Sequence, residues 1–148
     1  MIDNNFNSDL ASKFINIVLD KYLSPIISKT TDKVKSSYNE VKINLGTAFE
    51  AYLTKSYDKY SKIKTIIYGI EPKRLYDFFE IPFLKKGAKP ITPTTTRVLT
   101  DISKFLIIEG SGGIGKSTLM KHLFLSELEL KDYIPIFIEL KDFNEEGH

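Results

Sequence analysis

The sequence predicts an α/β protein in which an all-α region, residues 1–90, is followed by the first βαβ part of a second domain, residues 91–148. The first observation is a row of apolar residues that recurs every 3.5 positions, as in packed helices. The row consists of Val34, Tyr38, Val41, Leu45, Ala48 and Tyr52. The second observation is an apolar run at 105–108, a glycine-rich turn, a helical pattern over 116–130 and another apolar run at 134–140. Strand, glycine turn, helix and strand in that order predict a βαβ unit.

Composition places the chain among ordinary globular proteins and excludes several classes of site. Of the 148 residues, 42% are hydrophobic and 27% are charged, and the net charge is +2. The absence of cysteine excludes disulfides and thiolate metal sites, and two histidines are too few to indicate a zinc site. Arginine occurs only at positions 74 and 97, which disfavours nucleic-acid binding. No apolar run approaches the roughly 20 residues that span a bilayer. We therefore expect a cytoplasmic protein with no nucleic-acid or membrane partner.

In the helical region, a first helix is predicted to begin at Ser8, and Pro25 either interrupts it or opens the next helix. Gly46 lies within the 3.5-residue row and weakens the second helix by about 1 kcal/mol relative to Ala, so a bend or break is expected there. The row has two interpretations. It packs helix against helix inside this region, or it is a surface for self-association or for a partner protein. Periodicity does not separate these two interpretations.

Residues 61–98 carry weaker patterns. Four isoleucines, at positions 63, 66, 67 and 70, are compatible with a continuing helix. The aromatic stretch at 75–83 is predicted to be packed core, with a ligand-binding role as the alternative. Residues 85–93, with one glycine and two prolines, indicate a linker or exposed loop, and residues 94–98 are rich in threonine and valine, which favours an extended segment.

The glycine-rich turn carries the chemistry. Residues 110–117 read GSGGIGKS and fit the pattern G-x-x-x-x-G-K-[ST], a Walker A P-loop. In such a loop the backbone N–H groups surround the phosphates of a nucleotide, and the following helix N-terminus favours anions. Lys116 then places its charge at the β- and γ-phosphates and is the candidate catalytic residue, while the hydroxyl of Ser117 is the candidate Mg²⁺ ligand. The predicted phosphate-binding set is Gly110, Ser111, Gly112, Gly113, Ile114, Gly115, Lys116, Ser117 and Thr118.

The segment around this motif, FLIIEGSGGIGKSTLMKHLF at 105–124, resembles the P-loop strand and helix of NACHT-type STAND NTPases. YIPIFIELKDFN, at 133–144, is similar to the second strand of the same module, with Lys141 where Arg is usual. The resemblance implies an ATP- and Mg²⁺-dependent molecular switch whose nucleotide state controls assembly. Bacterial members of this class are often associated with antiviral defence. The choice of ATP over GTP depends on the resemblance alone, because no base-reading motif is visible.

The same resemblance implies that the chain holds only the N-terminal portion of such an NTPase. The Walker B acid of the family follows a third strand, and Asp142 does not occupy that place, so hydrolysis by this chain alone is not expected. The two predicted strands, 105–109 and 135–140, would not be neighbours in the family's sheet, so we expect unpaired strand edges that promote association. Two other functions stay open. One is a small P-loop kinase, which the lack of arginine after Arg97 disfavours, and the other is a helical interaction fragment with a vestigial P-loop.

Overall fold

The computed structural model describes residues 6–27, 32–64 and 71–140. Two long helices come first, α1 (Ser8–Ile27) and α2 (Asp32–Tyr60). Four very short strands follow, β1 (Lys62–Ile63), β2 (Lys73–Arg74), β3 (Leu84–Lys86) and β4 (Lys89–Ile91), with a 3₁₀ turn at Leu75–Asp77. Two more helices complete the described part, α3 (Thr96–Thr100) and α4 (Lys116–Leu130). None of these helices has the length and apolar character needed to cross a bilayer.

The chain thus combines helices with small antiparallel sheets, and the region before residue 90 is not all-α as predicted. In one sheet, β1 pairs antiparallel with β2, so that Lys62 lies opposite Arg74. The other sheet is a hairpin of β3 and β4 in which Lys86 lies opposite Lys89. The two-residue turn of this hairpin begins at Gly87 with φ at +62°, as a tight β-hairpin turn requires. The segment predicted as a linker is therefore a β-hairpin.

The structure confirms a helix that begins at Ser8 and a second helix after it, but it contradicts the predicted role of Pro25, the predicted break at Gly46 and part of the predicted buried face. Helix α1 begins at Ser8 as predicted and is capped by the Asn7 side chain, which accepts the N–H of Leu10 at 3.0 Å. Pro25 lies inside the last turn of α1, and α2 continues through Gly46 without a break. The residues of α2 that face the core are Phe49, Tyr52, Leu53, Ser56, Tyr57 and Tyr60.

Among the members of the predicted 3.5-residue row whose burial is described, Tyr52 joins that core-facing set, while Leu45 and Ala48 are exposed. The packing interpretation is therefore wrong for these two residues, because the stripe that is buried depends on where α1 and α4 pack. Their interpretation as a surface for self-association or for a partner protein stays a prediction. The burial of Val34, Tyr38 and Val41 lies outside the described part. So do the isoleucines at 66, 67 and 70, whereas Ile63 belongs to β1 rather than to a helix.

The core consists of two clusters that meet on α4. The larger cluster joins α1, α2 and the 3₁₀ turn to one side of α4 through buried apolar side chains, among them Phe14, Ile15, Leu53, Leu75, Phe124, Leu125 and Leu128. The smaller cluster joins α3 to the other side of α4 and consists of Leu99, Leu119 and Leu123. Helix α4, predicted over 116–130, therefore lies between the helical region and the segments next to its own N-terminus.

Thr95 is extended as predicted, whereas residues 96–98 are not, because Thr96 opens helix α3. Burial of Leu99 against Leu119 and Leu123 stabilises this single helical turn, and the Thr96 hydroxyl donates to the carboxylate of the buried Glu127. These tertiary contacts outweigh the preference of threonine for extended backbone. The aromatic stretch at 75–83 is only partly core, since Leu75 is buried whereas Phe83 is 76% exposed.

The predicted βαβ unit is not present among the described residues. Neither 105–109 nor 134–140 pairs with another strand. The second segment instead lies against α2, where the Tyr52 hydroxyl oxygen accepts the N–H of Phe137 at 2.7 Å. A strand needs a neighbour to satisfy its backbone groups, and the described strands are short and already paired. The two segments are therefore not strands in the described part of the chain, and the association expected from unpaired strand edges stays a prediction.

Candidate nucleotide-binding site

The structure brings all nine predicted site residues together at one loop and the first turn of one helix. Residues 110–115 form the loop, and Lys116, Ser117 and Thr118 open helix α4. The backbone conformation explains why glycine recurs. Gly113 has φ at +79° and Gly115 has φ at +90°, a left-handed region that residues with a Cβ adopt at a cost of roughly 1–2 kcal/mol. Gly115 is also the residue that precedes the helix and sets the direction of its axis.

The side chain of Lys116 folds back over the loop. Its Nζ donates to the carbonyl oxygen of Gly110 at 2.7 Å and to that of Ser111 at 2.8 Å. The aliphatic part of the side chain lies beside Gly110, where a Cβ would meet Lys116 Cδ at 3.7 Å and Ile114 Cγ2 at 3.1 Å. Two loop carbonyls thus hold the ammonium group at the open side of the turn. An ammonium group has three N–H donors, so one remains for an anionic ligand.

The start of α4 adds backbone donors. The first intrahelical bond runs from the Leu119 N–H to the Gly115 carbonyl at 2.9 Å. Among the described residues, no acceptor is found for the N–H groups of Lys116, Ser117 and Thr118. Such unpaired donors at a helix N-terminus, together with the helix dipole, favour an anion. The Ser117 side chain is exposed and the Thr118 side chain is half-buried, so the hydroxyl of Ser117 is accessible to a metal ion.

The loop lies between two open cavities on either side of segment 105–109. One has a volume of about 350 Å³ and lies between this segment, α3 and the hairpin of β3 and β4. The other has a volume of about 600 Å³ and lies between this segment, α4 and residues 137–140. Lys116 borders both cavities, and Ser117 borders the second. Sequence reasoning did not find the hairpin as a wall of this site, because two prolines and a glycine indicated a loop there.

The opposite end of α4 is fixed by ionic contacts that the sequence also did not reveal. Glu127 accepts the N–H of Asp132 at 3.0 Å and that of Tyr133 at 2.8 Å. The Asp132 carboxylate accepts from Arg97 of α3 and from Lys21 of α1, the latter at 2.8 Å. These two cations hold the pKa of the Asp132 carboxyl well below its usual range, chiefly through the hydrogen bond from Arg97. The contacts tie α1, α3 and α4 together at the helix end that is remote from the loop.

The single described histidine is a structural residue of α4. His122 is buried, its Nε2 lies 3.0 Å from the Thr94 carbonyl oxygen and its Nδ1 lies 3.1 Å from the Tyr76 hydroxyl. Since a carbonyl only accepts, Nε2 carries the proton and Nδ1 accepts from Tyr76. Burial lowers the pKa of His122 and raises the pKa of Tyr76 to about 12. Burial thus favours the neutral form of His122. Within the described residues, no group of three or more histidine, aspartate or glutamate side chains could hold a metal ion.

Comparisons of the chain with protein-family models, with curated proteins and with solved structures found no match. The resemblance to NACHT-type STAND NTPases thus stays a prediction from residues 105–124 and 133–144. The loop itself is therefore the basis for inferring a function, because a site is defined by its geometry and chemistry rather than by fold.

Proposed function

We propose that this chain binds a nucleoside triphosphate, ATP in the first instance, together with Mg²⁺, and that it does so as part of a STAND-like NTPase switch. The observation that carries the proposal is the convergence of three kinds of anion-binding group at residues 110–118. These groups are the Lys116 ammonium, the glycine-shaped loop and the unpaired N–H groups at the start of α4. Each of them favours phosphate, and a triphosphate is long enough to engage all three.

Lys116 and Ser117 have separate roles in this proposal. The Lys116 Nζ stays anchored by the two loop carbonyls and donates its third N–H to a β- or γ-phosphate oxygen. Ser117, which is exposed one residue later, offers its hydroxyl oxygen to Mg²⁺. The metal and the ammonium then neutralise different parts of the same phosphate chain, so that the loss of either one weakens binding without abolishing the other contact.

For this chain we propose nucleotide binding only. Hydrolysis is a property of the family that the sequence resembles. A P-loop NTPase organises Mg²⁺ with a second acid, and no acidic cluster suited to a metal occurs among the described residues. Glu139 borders the larger cavity next to Ser117, but it is engaged by Lys59 of α2 at 2.9 Å. Asp142, to which we assigned no Walker B role, lies outside the described residues.

Isothermal titration calorimetry of the chain with Mg²⁺–ATP tests the proposal. Lys116→Ala should weaken binding at least about thirtyfold, because a hydrogen bond to a charged group contributes about 1.5–3 kcal/mol and the full charge is lost with it. The matched control is Lys104→Ala, which removes an exposed lysine outside the loop and should leave the affinity within about twofold. Unchanged circular dichroism in both variants shows that the fold is kept. Equal affinity of the Lys116→Ala variant and the parent, or no binding by the parent, contradicts the proposal and favours a vestigial loop.

A further inference from the structure

The smaller cavity beside the loop has features of a ligand pocket. Its volume of about 350 Å³ is at the low end of the range for small-molecule sites, roughly 300–1,000 Å³. It is continuous with the loop, because Gly115 and Lys116 form part of its wall. The rest of the wall is mostly aliphatic and includes Ile91, Leu99, Ile102, Leu106, Ile108 and Leu119.

Phe83 lies at the same cavity and is unusual for its exposure. It precedes β3, lines the cavity and is 76% exposed to solvent. Most large aromatic side chains bury their area in a core or at a contact, and the neighbouring Phe79 does so by packing against both core clusters. An exposed aromatic ring beside an apolar cavity offers a face on which a flat ring can stack. Lys85 and Lys86 follow on β3 and also line the cavity, so this rim favours an anionic molecule.

We propose that the base and ribose of the nucleotide occupy this cavity, with the base stacked on Phe83. This inference rests on the proposed function, since it needs the triphosphate to be held at residues 110–118. A molecule that has an anionic end and a flat, largely apolar end matches the loop at one side and the aliphatic cavity at the other. Purines fit better than pyrimidines, because their larger rings cover more of the Phe83 face.

The same cavity determines how well the site distinguishes one purine from another. The charged or polar side chains on its wall are Lys85, Lys86, Glu109 and Lys116, and among the described residues no amide or hydroxyl side chain lines it. Strong discrimination requires hydrogen bonds that only the correct base satisfies, whereas an apolar pocket discriminates less than about a hundredfold. The wall is mostly apolar, so we expect less than about a hundredfold difference between ATP and GTP unless Glu109 or a lysine of β3 contacts the edge of the base.

Calorimetry of the full chain with three ligands tests this inference. The ligands are Mg²⁺–ATP, Mg²⁺–GTP and Mg²⁺–tripolyphosphate, of which the last lacks base and ribose. The parent should bind ATP at least tenfold more tightly than tripolyphosphate. Phe83→Ala should weaken ATP binding about tenfold, because one stacked base contributes roughly that much, and should leave tripolyphosphate binding unchanged. Phe105→Ala is the matched control, because Phe105 is 90% exposed and does not line the cavity; both affinities should stay as in the parent.

The outcomes separate this inference from the proposed function. If the parent binds ATP and tripolyphosphate equally well, the cavity does not hold the base, although the loop still binds phosphate. If Phe83→Ala weakens both ligands alike, or neither, the stacking role is wrong. If ATP binds at least a hundredfold more tightly than GTP, the description of the wall as non-selective is wrong. If the parent binds none of the three ligands, the proposed function fails and this inference fails with it.

Discussion

Glu127 offers the sharpest test of how the helix that carries the loop is held in place. Its carboxylate is 2% exposed and accepts the N–H groups of Asp132 and Tyr133 and the hydroxyl of Thr96. These three contacts join the C-terminal end of α4 to α3 and to the chain that follows. The perturbation is Glu127→Ala, which removes the shared acceptor and leaves its donors behind.

The expected cost follows from where those donors lie. The Asp132 N–H belongs to a buried residue, so without its acceptor it costs about 2 kcal/mol. The Tyr133 N–H belongs to a residue that is 54% exposed, so water replaces part of the lost bond and the cost there is about 1 kcal/mol. Removing the carboxylate also removes the free-energy cost of burying it, and this gain offsets the packing that is lost with its methylene groups. We expect the free energy of unfolding to fall by about 3 kcal/mol, a large part of the 5–15 kcal/mol typical of a domain.

Glu127→Gln is the matched control, because its amide oxygen accepts both N–H groups while its NH₂ donates to the Thr96 hydroxyl. Only the charge is lost, so we expect the free energy of unfolding to decrease by about 1 kcal/mol. Urea unfolding measures both variants, and a difference of about 2 kcal/mol between them corresponds to a shift of about 1 M in midpoint at a slope near 2 kcal/mol per M. If Ala and Gln have the same effect to within about 0.5 kcal/mol, Glu127 does not act as a shared acceptor and the reasoning is refuted.

Two further predictions concern the loop helix. Ser117→Ala should weaken ATP binding more in the presence of Mg²⁺ than in EDTA, because its hydroxyl ligates the metal rather than phosphate; an equal loss in the two titrations argues against that role. His122 is buried, and its pKa is lowered in the folded chain. Because the unfolded chain takes up the proton first, the contribution of His122 to the free energy of unfolding should be constant above pH 6.5 and should decrease below it, by up to about 1.4 kcal/mol per pH unit. The slope between pH 6.5 and 5 should shrink in His122→Gln, and a slope unchanged by that substitution would show that another group causes it.

The sequence identified the loop and α4 because both depend on local information. A phosphate-binding turn needs glycines, a lysine and a hydroxyl at fixed spacing in the sequence. This spacing can be recognised whatever the arrangement of the surrounding helices and strands. Helix α4 is likewise predicted from its own apolar positions, and its observed bounds, Lys116–Leu130, agree with that pattern. The location of Lys116 beside the loop carbonyls follows from the same short stretch of chain.

The sheet and the buried faces were not predictable in this way, because they depend on distant partners. Residues 105–109 have the composition of a buried strand, yet no described strand pairs with them and Phe105 and Ile107 are 90% and 89% exposed. The hairpin of β3 and β4 was missed because its prolines suggested a loop, although Pro90 lies on a short strand at a sheet edge, where a missing donor is tolerated. The stripe of α2 that is buried depended on α1, which no local pattern specifies.

The distribution of buried side chains also limits how nucleotide binding could act on the rest of the chain. Helix α4 buries five apolar side chains, Leu119, Leu123, Phe124, Leu125 and Leu128, between two clusters. Moving the helix out of these contacts would cost on the order of 10 kcal/mol, whereas coupling between sites is typically 1–3 kcal/mol. Nucleotide binding is therefore expected to leave α4 in place. A response to the ligand must instead involve the parts beside the loop that bury little, which are residues 105–109 and the hairpin that follows Phe83. Both line the cavity in which we place the base, so the parts that can move are also the parts that the ligand touches.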